Sequence, residues 1–199
     1  YDKIFLNGNS WGTIVAIEYY KAHPDKVAGI IFSGEAFDIL AAEKEINAAV
    51  AKLSPDAQKA FAQYNVDKNL ESPAYKKAVD EFYSVNVWRH PIQADVDSTM
   101  QLMGAEQYRY FQGENETMIV GALRNYNAVK DLPNIKVPVL MTTGEFDELG
   151  PKLIERHAKL IPGARFIMYK DAAHVTQWDA TEQSVKDARE FLKAADTKK

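Results

Sequence analysis

The stretch Leu6-Asn7-Gly8-Asn9-Ser10-Trp11-Gly12 constrains this chain more than any other. The apolar run Ile4-Phe5-Leu6 predicts a short buried strand, and Trp11 to Tyr20 predicts a helix, so Ser10 falls at the turn between them. A strand that reverses sharply into a helix crowds the neighbours of the turn residue. Gly8 and Gly12 are therefore expected to keep side chains out of that contact. Such a turn lifts a serine hydroxyl above the edge of a sheet, and the first N–H groups of the helix face any negative charge that develops beside it. The spacing Gly-x-Ser-x-Gly is that of a nucleophile elbow, with the Trp11 N–H as one arm of an oxyanion hole. A glycine-rich turn with an incidental serine has the same spacing.

The rest of the chain decides whether an elbow is plausible. His23-Pro24 stops the first helix, and Val27 to Phe32 is continuously apolar and β-branched, as in a strand covered on both faces. Strand, helix, strand implies a parallel pair with a right-handed crossover. From Glu35 to about Lys130 the pattern becomes helical. Ala36 to Leu53 is alanine-rich, and Ser54-Pro55 and Ser72-Pro73 each read as an N-cap followed by proline at the first helical position. Those two helices, Pro55 to Tyr64 and Pro73 to Val87, carry aromatic residues at helical spacing, and Gln101 to Phe111 and Met118 to Tyr126 add helices or short strands. Strand signal returns at Ile135 to Thr143 and Ala164 to Tyr169, with helices at Pro151 to Leu160 and Thr181 to Ala194. The expected architecture is an α/β sheet, formed by residues 1–34 and 131–199, with an all-helical lid inserted over residues 35–130.

Composition excludes several classes. With net charge −4 and lysines dispersed among acids, there is no electrostatic footprint for nucleic acid. No apolar run could span a bilayer, so no membrane partner is expected. The absence of cysteine rules out disulfides and thiolate metal sites, and neither a metal nor a cofactor is expected. A basic n-region with an apolar stretch is missing at Tyr1, which leads to the expectation of a cytoplasmic chain that is a piece of a longer protein.

A serine nucleophile needs a base and an orienting acid at the same rim of the sheet, because an unassisted hydroxyl attacks poorly at neutral pH. Asp147 follows the strand ending at Thr143, and His174 follows the strand ending at Tyr169. The order Ser10, Asp147, His174, each after a predicted strand, is that of α/β-hydrolases. Read singly, Asp147 is a loop-capping carboxylate and His174 a solvated loop histidine. His23, His90 and His157 suit structural or solvated positions.

These residues resemble a known family. Gly8-Asn9-Ser10-Trp11-Gly12, Pro138 to Glu148 with Gly150-Pro151, and Ala173-His174-Val175-Thr176-Gln177-Trp178 are together similar to the proline iminopeptidases, α/β-hydrolase serine aminopeptidases that include the tricorn-interacting branch. The similarity extends through the middle third, including Ser72-Pro73-Ala74-Tyr75 and Gln112-Gly113-Glu114-Asn115-Glu116. It implies release of an N-terminal residue, proline preferred, from short peptides or amides by Ser10, Asp147 and His174. It also implies that Glu116 and Glu148 grip the substrate's free amino group. Tyr64, Phe82, Tyr83, Tyr110 and Trp178 are candidates for an apolar wall. The family also carries a His-Gly-Gly-Pro-Gly loop upstream of the elbow, which supplies the second oxyanion donor and has no counterpart in this sequence. A preceding segment of the same protein, or another copy, is thus expected to complete the sheet, and the chain alone is expected to be poorly active. An amino-acid amidase or esterase on the same scaffold, and a catalytically incomplete binding module, are the other readings.

Overall fold

The computed structural model describes residues 2–196. Strand β1 (Ile4–Ser10) runs directly into helix α1 (Trp11–Ala22), and a short 3-10 turn at Pro24–Lys26 leads to β2 (Val27–Glu35). After the middle region come β3 (Val139–Gly144), then, with its helix numbered below, β4 (Arg165–Tyr169). All neighbouring strands pair in parallel, in the order β1-β2-β3-β4.

Alternation along β2 serves two cores. Ile30 and Phe32, with Val139 and Met141 of β3, belong to the larger core shared with α1, where Ile14, Ile17 and Tyr20 are buried. Ile31 and Leu140 face the other way and meet the closing helix. Burial on both faces explains the unbroken apolar run of β2. β1 has β2 on one side and no second strand neighbour among the described residues. Its Ile4 is exposed and Phe5 and Leu6 only half-buried, which corrects the expectation of a buried first strand.

The middle region holds α2 (Ile39–Val50), α3 (Pro55–Asp67), α4 (Pro73–Phe82), α5 (Gln93–Leu102) and α6 (Ala105–Phe111). Ser54 and Ser72 cap α3 and α4, accepting from Ala57 N at 3.2 Å and Tyr75 N at 3.5 Å. The pair packs through a Tyr64–Tyr75 stack with ring centroids 4.3 Å apart. Asp38 caps α2 by accepting from Ala41 N at 3.0 Å.

Three expectations are corrected. The helix from Pro73 gives way after Phe82 to a π turn, Tyr83–Val87, closed by Trp88 N donating to Tyr83 O at 3.0 Å. Met118 to Tyr126 forms turns rather than a helix or strand, and helix forms instead at Gln93–Leu102. β3 starts at Val139, because Pro138 has no N–H to give the ladder. The residues before it form a 3-10 stretch, Val129–Asn134.

Beyond β3 lie α7 (Pro151–Ala158), α8 (Thr176–Asp179) and α9 (Thr181–Asp196), whose Phe191 and Ala195 cover the second core. Among the described residues no helix is long and apolar enough to cross a membrane.

Candidate active site

Ser10 ends β1 and precedes α1 with φ 53 and ψ −124, a conformation that costs a non-glycine residue ~1–3 kcal/mol. Neighbours hold it there. The Thr13 hydroxyl donates to the Ser10 carbonyl at 2.6 Å and accepts from Ala36 N at 3.2 Å, tying the elbow to the exit of β2. A Cβ added at Gly8 would lie 2.3 Å from the Gly12 carbonyl oxygen, so strand and helix touch there as expected. Gly12 corrects the expectation, since a Cβ on it would meet nothing within 4 Å. The Ser10 side chain makes no capping hydrogen bond to α1. The Trp11 side chain is half-exposed and lies against Phe111 of α6, centroids 5.6 Å apart.

Asp147 and His174 meet beside this turn. The Asp147 carboxylate is buried, accepts from Thr143 Oγ1 at 2.9 Å and Leu149 N at 3.0 Å, and lies 2.9 Å from His174 Nδ1. A carboxylate at Nδ1 selects the tautomer protonated there and leaves Nε2 as the acceptor. Nε2 is buried and has no hydrogen-bond partner among the described residues. Asn9, next to Ser10, donates from Nδ2 to Ser33 O at 3.2 Å and His174 O at 3.4 Å, which draws elbow and histidine loop to one rim. Gly34, at φ 51, forms the floor. A Cβ there would sit 2.6 Å from His174 Nδ1 and 3.0 Å from Asp147 Oδ2.

Two further carboxylates crowd this group. Glu148 is buried with neither oxygen hydrogen-bonded, and its Oε1 is 3.6 Å from His174 Nδ1. Glu116, in the turn after α6, accepts from Tyr108 Oη at 2.8 Å and Gln112 Nε2 at 3.0 Å, while its own N–H donates to Tyr83 Oη at 3.2 Å. Desolvation pushes the Glu148 carboxyl well above the usual range and Glu116 upward too, opposed in both by the nearby imidazole. Burial alone would lower His174, but Glu148, Asp147 and Glu116 outweigh it and push the imidazole up to about 10. The result is a water-poor volume with more acid than base, which favours entry of a cation. Ligand atoms of Asp147, Glu148 and His174 lie within 4.8 Å of one another, a spacing that would also suit a metal ion. An ion there would displace the proton between Asp147 and His174.

Ser10, Trp11 and Glu116 line one cavity of ≈ 500 Å³, whose other walls include Ile14, Ile39, Phe111 and Leu123. None of the five aromatic residues expected as its wall lines it. Phe82 is in the lid core, Tyr64 stacks on Tyr75, Tyr83 and Trp178 pack on Trp88, and Tyr110 is 67 % exposed. Helical spacing placed Tyr64, Phe82 and Tyr83 on inward faces without revealing which neighbour each face meets.

Sequence reasoning also passed over the roles of Thr13, Thr143, Gly34 and Asn9. Thr143 carried a readable signal, a hydroxyl at the end of the strand four residues before Asp147.

Residues 1–181 match the family model described as serine aminopeptidase, S33. Among curated proteins, the chain is 26 % identical to a proline iminopeptidase of Saccharolobus solfataricus, covering 96 % of this chain and 62 % of that protein. It is 28 % identical to that of Thermoplasma volcanium, covering 96 % and 65 %. The crystal structure of a Mycobacterium smegmatis proline iminopeptidase superposes with a TM-score of 0.90 at 25 % identity, over 98 % of this chain and 67 % of that one. The chain thus spans somewhat under two thirds of the length of the two curated relatives.

Proposed function

The chain belongs to the serine aminopeptidase S33 family and has the α/β-hydrolase fold, and on that premise we propose that it carries the acyl-transfer site of an enzyme releasing an N-terminal residue, proline included, from short peptides or amides. The observation that carries the reading is the buried 2.9 Å contact of Asp147 Oδ1 with His174 Nδ1, with Ser10 in a strained turn at the same rim.

In this reading His174 Nε2 takes the Ser10 proton as the hydroxyl attacks the carbonyl of the first residue, and Asp147 holds the tautomer and balances the imidazolium. The Trp11 N–H, at the positive end of α1, stabilises the oxyanion, a contribution of about 3 kcal/mol per donor. His174 returns its proton to the leaving amine, and water repeats the sequence to free the acid. Glu116 and Glu148 bind the substrate ammonium, which supplies the positive charge that the cluster favours. The second oxyanion donor and the partner for β1 come from a segment outside these 199 residues or from another copy.

The alternative on the same scaffold is an amidase or esterase indifferent to a free amine. A fluorophosphonate probe and proline 4-nitroanilide, with its N-acetylated form, separate the readings. Labelling that disappears in Ser10→Ala, with slow turnover abolished by N-acetylation, is the expected result. Equal labelling of Ser10→Ala overturns the nucleophile. Turnover unaffected by acetylation overturns the carboxylate clamp and favours the amidase or esterase.

A further inference from the structure

The loop that carries His174 is fastened to the lid as well as to the sheet, where Asn9 Nδ2 donates to His174 O and Thr176 Oγ1 meets Ser33 Oγ at 3.0 Å. His174 N donates to Asn86 O at 3.2 Å and Val175 N to Val87 O at 2.8 Å, both acceptors lying in the π turn. Asn86 Nδ2 donates to Phe146 O at 3.0 Å, which reaches the residue before Asp147. The remaining N–H of this stretch, that of Ala173, goes to Asp179 Oδ2 at 2.7 Å. Asp179 Oδ1 accepts from His90 N at 2.7 Å, and both carboxylate oxygens accept from Arg89 N at 2.8 Å and 3.0 Å. One carboxylate therefore closes backbone N–H groups of two segments remote in sequence, one in the lid and one directly before the imidazole.

We infer that Asp179 is a positioning residue that locks the His174 loop to the lid segment Asn86 to His90 and so aims the imidazole between Asp147 and Ser10. The inference rests on the reading of His174 as the base. Three properties of the knot support it. Charge-assisted bonds to backbone N–H are short and directional, so they set position as well as energy. Removing the carboxylate strips an acceptor from three N–H groups, and Ala173 N–H has no other acceptor among the described residues. Arg89, whose guanidinium lies 4.0 Å over the Phe146 ring, carries the same lid segment onto the Asp147 loop. The surface pairs of Asp171 with Arg89 and His90 add a rim that is exposed to screening.

The direct readout is the far-downfield proton resonance of His174 Nδ1–H shared with Asp147, assigned by its loss in His174→Gln. The second is the rate at which a fluorophosphonate labels Ser10. In Asp179→Ala the resonance is expected to vanish and labelling to slow by roughly a hundredfold, the penalty of an ångström-scale misplacement. Asp179→Asn keeps one acceptor oxygen and should fall between the two, and it carries the test if Asp179→Ala does not fold. Asp187→Asn is the control for general loosening, since Asp187 on α9 accepts from Arg165, Tyr169 and Gln183. It should lower Tm while keeping resonance and labelling rate. An unchanged resonance and rate in both Asp179 variants overturns the inference, as does equal loss in Asp187→Asn. A wild-type chain without the resonance removes the Asp147–His174 reading, and this inference falls with it.

Discussion

The Thr13 hydroxyl hydrogen lies in a 2.6 Å bond to the Ser10 carbonyl, and its oxygen receives the Ala36 N–H, so one buried side chain clips the strained elbow to the end of β2. Thr13→Val keeps the shape and removes both bonds, leaving a buried N–H unpaired. It should destabilise the fold by ~1–3 kcal/mol and slow Ser10 labelling, while Thr13→Ser should restore both. Denaturant titration and labelling kinetics check this, and a valine variant equal to wild type removes the clip.

Gly34 offers a test of the floor beneath the imidazole. At φ 51, with a Cβ placed 2.6 Å from His174 Nδ1, alanine is strained and must push the ring away. Gly34→Ala should lose ~1–3 kcal/mol of stability and about a hundredfold in labelling rate. A variant that loses stability alone would mean that the ring does not rest on this backbone.

The pH dependence follows from the acid cluster. His174, held up to about 10, must shed its proton before it can act as a base, so kcat/KM should rise with pH on its acidic side. Glu148→Gln removes a charge that raises the imidazole, and the ascending limb should therefore move to lower pH. Movement to higher pH contradicts the electrostatic assignment. The same raised value contributes stability that is whole below about pH 6.5, the unfolded value, and is lost as pH climbs through the folded one.

Glu148→Gln should also be a stabilising change. The native side chain buries two carboxylate oxygens without a hydrogen bond beside two other acids. A neutral isostere relieves that crowding, with an expected gain on the order of 1 kcal/mol seen as a higher Tm, alongside weaker binding of free-amine substrates. A lower Tm would show that attraction to His174 outweighs the desolvation.

The cavity bears on which residue is released. Its ≈ 500 Å³ exceeds what a proline ring fills, and its walls combine aliphatic Ile14, Ile39 and Leu123 with aromatic Trp11 and Phe111. Leucine and phenylalanine anilides should be turned over beside the proline compound. Leu123→Trp, by narrowing the space, should slow phenylalanine release by roughly tenfold or more with little effect on proline. Equal effects on both would show that the side chain binds elsewhere.

Much of the architecture was legible because local chemistry dictates it. Gly8 against Gly12 across the Ser10 turn and the Ser54-Pro55 and Ser72-Pro73 caps each reflect forces acting within a few residues. What escaped is set by distant partners. The π turn at Tyr83–Val87 is held to residues 174 and 175, Thr13 meets Ala36, and the cavity wall depends on which helix lies opposite. Periodicity reports that a face is turned inward, and tertiary packing alone determines what it meets. Ile4 shows the converse, a strand residue of buried type left open where β1 has no second neighbour among the described residues.

The whole lid is threaded between the strand that ends in the Ser10 alcohol and the strands that precede Asp147 and His174. A ribosome extending the chain at about 5–20 residues per second would make the alcohol first and complete its companions only after every lid helix has emerged. Until β4 docks on β3 and the histidine loop is fastened, Asp147 and His174 are not yet paired beside Ser10 in the growing polypeptide.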